Sequence, residues 1–104
     1  MFGLKENDIS AIVVILKQHR EVEEALIFGS RAKGSYNNGS DVDIALKGRI
    51  SFETVSRISY LLNEETMMPY RFDVLNYYTI QNPQLVEHID RVGTTFYQRS
   101  KSLA

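Results

Sequence analysis

The sequence contains no cysteine, no tryptophan and only two prolines in 104 residues. Without cysteine there is neither a disulfide framework nor a zinc–thiolate site. No apolar run approaches the ~20 residues that a membrane span requires. Neither sign of charge dominates: 12 Lys and Arg stand against 13 Asp and Glu, for a net charge of −1. With an isoelectric point near 6.1, the chain lacks the strongly basic footprint of a stand-alone nucleic-acid binder, so nucleic acid is not the expected partner. Its first residues, MFGLKENDIS, lack the basic segment and apolar stretch of a signal peptide, and a cytoplasmic location is expected. Repeats and low-complexity segments are absent as well.

What is present fits one domain, residues 1–104, with an ordinary 43% apolar content. Ile9, Ile12, Val13 and Leu16 recur at helical spacing, so residues 6–19 are predicted to form an amphipathic helix capped by Asn7 or Asp8. EEALIFG from Glu23 reads as a strand ending at Gly29. Residues 30–40 read as a turn region with one short helical turn after Ser30, and DVDIAL as a second strand. Residues 51–66 are predicted helical, capped by Ser51, with Phe52, Val55, Ile58 and Leu62 inward. RFDVLNY, Arg71 to Tyr77, is a third strand. Asn82-Pro83 opens a last helix that ends at Gly93, and TTFYQR follows as a short strand or extended tail. About a dozen residues separate the first two strands, too few for a helical crossover, so the pair is expected to be antiparallel and the sheet mixed. The fold class is therefore α/β (α+β): a small mixed sheet with flanking helices.

The chemistry concentrates in LIFGSRAKGSYNNGSDVDIAL, Leu26 to Leu46. Residues two apart on a strand share a face, so Asp41 and Asp43 project together while Val42, Ile44 and Leu46 face the core. Two such carboxylates repel unless a cation lies between them. Hard oxygen ligands of this kind suit Mg²⁺, which binds one or two carboxylates plus substrate phosphates. Asp73, in RFDVL, adds a third acid in a setting where aspartate is depleted. Such a trio, Asp41, Asp43 and Asp73, could hold two metal ions for an in-line phosphoryl displacement, with Asp73 also placed to accept the acceptor's proton. Upstream, Gly29 lets phosphate approach the backbone, the amides after Ser30 offer donors, and Arg31 and Lys33 add positive charge.

Other motifs fail on inspection. Gly29-x4-Gly34 begins like a P-loop, but Ser35-Tyr36 follows where Lys-Ser/Thr is required. NNGSDVD has a calcium loop's residue types in the wrong order, and it leads into a strand. His19 and His88 read as helix-surface residues without metal spacing. Leu61-Leu62 and Met67-Met68 read as core filling, and Tyr77-Tyr78 as core or interface, with framing a pocket as the alternative.

Ile27-Phe28-Gly29-Ser30, Ala32, Gly34, Ser40-Asp41-Val42-Asp43-Ile44 and Asp73 together resemble the polymerase-β-type nucleotidyltransferase superfamily, and within it the minimal nucleotidyltransferase (MNT) family. NPQLVEHIDRVGTTFYQR is similar to that family's usual ending, so the resemblance spans nearly the whole chain. The resemblance implies a polymerase-β-like nucleotidyltransferase fold. It assigns Gly29 and Ser30 to nucleotide phosphates, Asp41 and Asp43 to Mg²⁺, and Asp73 to completing the metal site. Lys33 departs from the family's frequent arginine: it keeps the charge but loses the bidentate fork. The family also implies ATP as substrate, AMP as the transferred group, and an all-helical HEPN protein encoded nearby as partner. In several such pairs the HEPN protein is a toxin and the MNT protein its antitoxin. Larger superfamily enzymes carry a second domain over the nucleotide. Here a partner protein or a homo-oligomer is expected to supply that surface. Two alternatives stand beside this one: a non-catalytic antitoxin that masks its partner, and transfer to a small molecule.

Overall fold

The computed structural model describes residues 1–99. Eight regular elements follow one another: α1 (Glu6–Lys17), β1 (Glu24–Phe28), a single helical turn α2 (Gly29–Lys33), β2 (Val42–Lys47), α3 (Phe52–Glu64), β3 (Phe72–Asn76), α4 (Pro83–Val92) and β4 (Thr94–Gln98). A 3-10 turn, Tyr77–Thr79, links β3 to the segment before α4. The strands form one sheet in the order β3-β2-β1-β4. β1 is antiparallel to both β2 and β4, and β2 is parallel to β3. The short loop between β1 and β2 permits only the antiparallel pairing, whereas α3 gives the β2–β3 crossover its length.

Alternation along the strands divides the sheet into two faces. Ala25, Ile27, Val42, Ile44, Leu46, Phe72 and Val74 join Ile12 and Leu16 of α1 and Ile58 and Leu62 of α3 in the main core. On the opposite face Phe28 and Ala45 pack with Ile89 of α4 in a smaller cluster. Beyond that cluster the second face is not apolar. It carries Asp43 on β2 and Asp73 on β3, which are directly paired in register.

Local chemistry accounts for most element ends. Asn82 accepts hydrogen bonds from Gln84 N and Leu85 N, with Pro83 in the first helical position. Ser51 Oγ accepts from Thr54 N, and Glu21 braces the same cap by accepting from Ser51 N and Thr54 Oγ1. Three expectations are corrected. The cap of α1 is Lys5 rather than Asn7 or Asp8, and Asp8 instead reaches back to accept from Lys5 N. Phe52 is 81% exposed, because Ile50, ahead of the cap, takes the inward place. Met67 is fully exposed, beyond the end of α3, while Met68 packs on the core. Gly93 ends α4 with an ordinary negative φ of −59°. Its need for glycine is space, since a Cβ there would lie 2.4 Å from Ile89 O. Among the described residues no helix is long and apolar enough to cross a membrane.

Candidate active site

The site forms where β1 ends and β2 and β3 begin. β1 runs out at Phe28, paired with Asp43. Gly29 then turns the chain into α2 with φ +73°, the left-handed region that glycine adopts at little cost. The turn lies directly against the acid: a Cβ on Gly29 would meet Asp43 Oδ2 at 2.2 Å. Ser30 is half-buried beside it, and Lys33 is exposed at the end of the turn.

Asp43 lies between neighbours of its own sign. Asp73 is its register partner on β3 and is exposed, and Asp41 is exposed just ahead of β2, which begins at Val42. The Asp43 carboxyl is pushed up from its ordinary value of 3.8 to about 6, first by desolvation and then by the Asp73 and Asp41 charges. A carboxyl raised on folding binds its proton more tightly in the native state. Its contribution to stability is therefore present at low pH and is lost as pH climbs from about 4 through about 6. Thermal melts of the wild type and of Asp43→Asn between pH about 4 and about 7 read this effect. The two should match most closely at the acid end, with the variant gaining relative stability as pH rises. Parallel curves would remove Asp43 as a strained acid.

Arg31 does not sit where a phosphate contact was expected. It is 2% exposed, and its guanidinium donates to the carbonyls of Phe2, Asn38 and Ser40. Its side chain is buried under the loop whose Asn38 and Ser40 carbonyls it binds. That correction leaves Lys33 as the cation of the turn that is free in solvent.

His88 is the residue that sequence reasoning missed. Read as a helix-surface residue, it instead lies half-buried on α4 with Nε2 accepting from Gly29 N at 3.1 Å. Its ring meets Phe28 edge-on, with centroids 6.1 Å apart. The contact spans 59 positions, so no local pattern announces it. It engages the Gly29 amide, which is therefore not offered to an anion. Tyr77 is tied by its hydroxyl to Asp90, with Lys47 Nζ over its ring.

Among the described residues, no three acidic or imidazole groups converge as placed to enclose an ion. Asp41 and Asp73 are exposed side chains able to turn toward Asp43. The donor set itself, carboxylate oxygens in mutual repulsion with Asp43 raised first by desolvation and then by its acidic neighbours, is chemistry that a hard divalent cation satisfies.

No curated protein is similar enough in sequence to count as a match. Solved structures share the fold. A toxin-antitoxin complex with AMP-PNP contains a chain that matches 92% of this one with TM-score 0.71 and 17% identity, over 75% of its own length. A complex of the tri-AMPylated Shewanella oneidensis HEPN toxin with its MNT antitoxin matches 92% of this chain with TM-score 0.69 and 13% identity, over 74% of the solved chain. The toxin-antitoxin pair MntA-HepT matches 91% with TM-score 0.68 and 13% identity, again over 74%. In these complexes the structural neighbour is the MNT antitoxin. The family model described as Polymerase beta, Nucleotidyltransferase matches residues 10–102. The mixed sheet, the glycine turn against Asp43 and this nearly full-length match make the chain a member of the polymerase beta nucleotidyltransferase family.

Proposed function

We propose that the protein transfers AMP from ATP, with Mg²⁺, to a hydroxyl on a HEPN partner protein, the hydroxyl oxygen bonding to the α-phosphorus as the bond to the departing pyrophosphate breaks, and that it acts as that partner's antitoxin. The observation that carries the reading is the Gly29 turn pressed against Asp43, with Asp73 in register beside it. Asp41 and Asp43 would hold Mg²⁺, with Asp73 completing the set. When bound there, the metal would supply charge neutralisation for the phosphates. Gly29 lets the triphosphate approach the backbone, Ser30 and the amides after it donate to phosphate oxygens, and Lys33 adds charge from solvent. Asp73, exposed beside Asp43 on the neighbouring strand, would take the proton of the attacking hydroxyl. The AMP-PNP complex and the AMPylated toxin complex among the structural neighbours support this choice of nucleotide and acceptor.

The test pairs the purified protein with the protein encoded beside it, in ATP and Mg²⁺, and records the partner's intact mass. The expected result is a gain of one or more AMP units, absent without Mg²⁺. A masking subunit is the second reading, favoured by the lack of a preformed three-ligand cluster among the described residues. A stable complex whose partner mass never changes, with ATP or any other triphosphate, would establish that reading instead.

A further inference from the structure

Arg31 is the one charged side chain buried among the described residues. Its Nε and Nη2 donate to Ser40 O at 3.2 and 2.9 Å, Nη2 also reaches Asn38 O at 3.4 Å, and Nη1 donates to Phe2 O at 2.8 Å. The Tyr36 and Tyr70 rings flank it, 5.2 and 5.0 Å from Cζ to centroid. No carboxylate balances it, since the ion pair found among the described residues is Arg91–Glu87. A buried cation without a counter-ion is costly. What the site gains is a rigid planar fork that binds several carbonyls in fixed directions, which a point-charge ammonium cannot do.

The direction of those bonds matters. The Ser40 carbonyl and the Asp41 amide belong to one peptide plane, so fixing the first orients the second. On its other side Asp41 is followed by Val42, whose N–H donates to Arg71 O at 2.9 Å from the β3 side. The Asp41 backbone is thus clamped between a peptide held by Arg31 and one held by the sheet. The loop's own bonds, Asn37 N to Ser40 Oγ and Ser40 N to Asn37 O, close a turn but do not tie it to the body of the protein.

We propose that Arg31 is a positioning residue for the carboxylate site. It holds the Ser40 peptide and thereby sets Asp41 beside Asp43, and it makes no contact with the triphosphate. The proposal rests on the nucleotidyltransferase reading and deepens it, dividing the two cations of the turn: Arg31 builds the site from beneath, and Lys33 faces the substrate.

Arg31→Lys tests it, because lysine keeps the charge and loses the fork. The expected result is faster amide exchange confined to residues 37–41 and the first few residues. With it comes a kcat lower by about 10²-fold, the scale of a small misplacement, and a KM for ATP within about twofold of wild type. A raised KM with kcat preserved would make Arg31 a phosphate contact. Unchanged exchange and unchanged kcat would leave it no role at the site. Should the variant fail to fold, the wild type decides by NMR. The Arg31 Nε–H should be protected from exchange and stay unmoved on titration with a non-hydrolysable ATP analogue and Mg²⁺, while the Ser30 amide shifts. An Arg31 signal moving as far as that of Ser30 overturns the proposal. A wild type that neither binds the analogue nor transfers nucleotide overturns the nucleotidyltransferase reading and this proposal together. A competent wild type with an indifferent variant overturns the proposal alone.

Discussion

Asp43→Asn is expected to abolish nucleotide transfer while making the metal-free protein more stable at neutral pH. The two effects share one cause. Asp43 is flanked by Asp73 and Asp41 and is partly desolvated, so its ionisation is opposed and its carboxyl is raised to about 6. At pH 7 the native state holds that charge against the local field, and asparagine removes the charge at nearly constant shape. The melting temperature should therefore rise, or at least not fall, relative to wild type without metal. Activity should move the other way. A carboxylate that holds a catalytic metal contributes several kcal/mol of charge stabilisation, so its loss should reduce transfer by about 10³-fold or more. Thermal melts with and without Mg²⁺, alongside partner labelling, measure both. Mg²⁺ should stabilise the wild type and leave the variant unmoved. A variant that still labels its partner at near wild-type rate would remove Asp43 from the reaction. A variant that melts much earlier would show the carboxylate to be structural.

This opposition explains why the acids of the candidate site stand out in the sequence. Asp43 and Asp73 stand out because aspartate is poorly suited to strands, and strand periodicity placed Asp43 and Val42 on opposite faces, as they are found; Asp41, expected to share the strand with Asp43, lies just ahead of β2 instead. The antiparallel β1–β2 pair followed from loop length, and the caps at Ser51 and Asn82 from local chemistry. What the sequence hid are contacts set by tertiary packing. Nothing in VEHID says that His88 will meet the Gly29 amide across the chain. Nothing in GSRAK says that Arg31 will be buried and Lys33 exposed, since both are cations on one short turn and only the loop above distinguishes them. Phe52 misled for a related reason: helical periodicity gives a face, but not the point along the helix where that face meets the sheet.

Gly29→Ala is the second substitution expected to have a large effect, and it separates backbone conformation from site geometry. Gly29 has φ +73°, where an L-residue with a Cβ costs ~1–2 kcal/mol. The new methyl carbon would also lie 2.2 Å from Asp43 Oδ2, so the carboxylate must rotate away. Because Oδ2 ends a flexible side chain, that rotation adds little to the loss of stability. The whole destabilisation should stay near ~2 kcal/mol, read as a moderately lower melting temperature. The consequence for transfer is larger, because the rotated group is the one that the site is built around. A displacement of this kind is expected to lower kcat by about 10²-fold. The Asp43→Ala background separates the two causes. There the methyl meets no carboxylate, so Gly29→Ala should retain its conformational cost and lose its effect on activity, which the first substitution has already removed. If Gly29→Ala instead raised KM for ATP and left kcat intact, the glycine would serve phosphate approach alone and not the placement of the acid. If it changed neither, the close contact between turn and carboxylate would have no part in the chemistry.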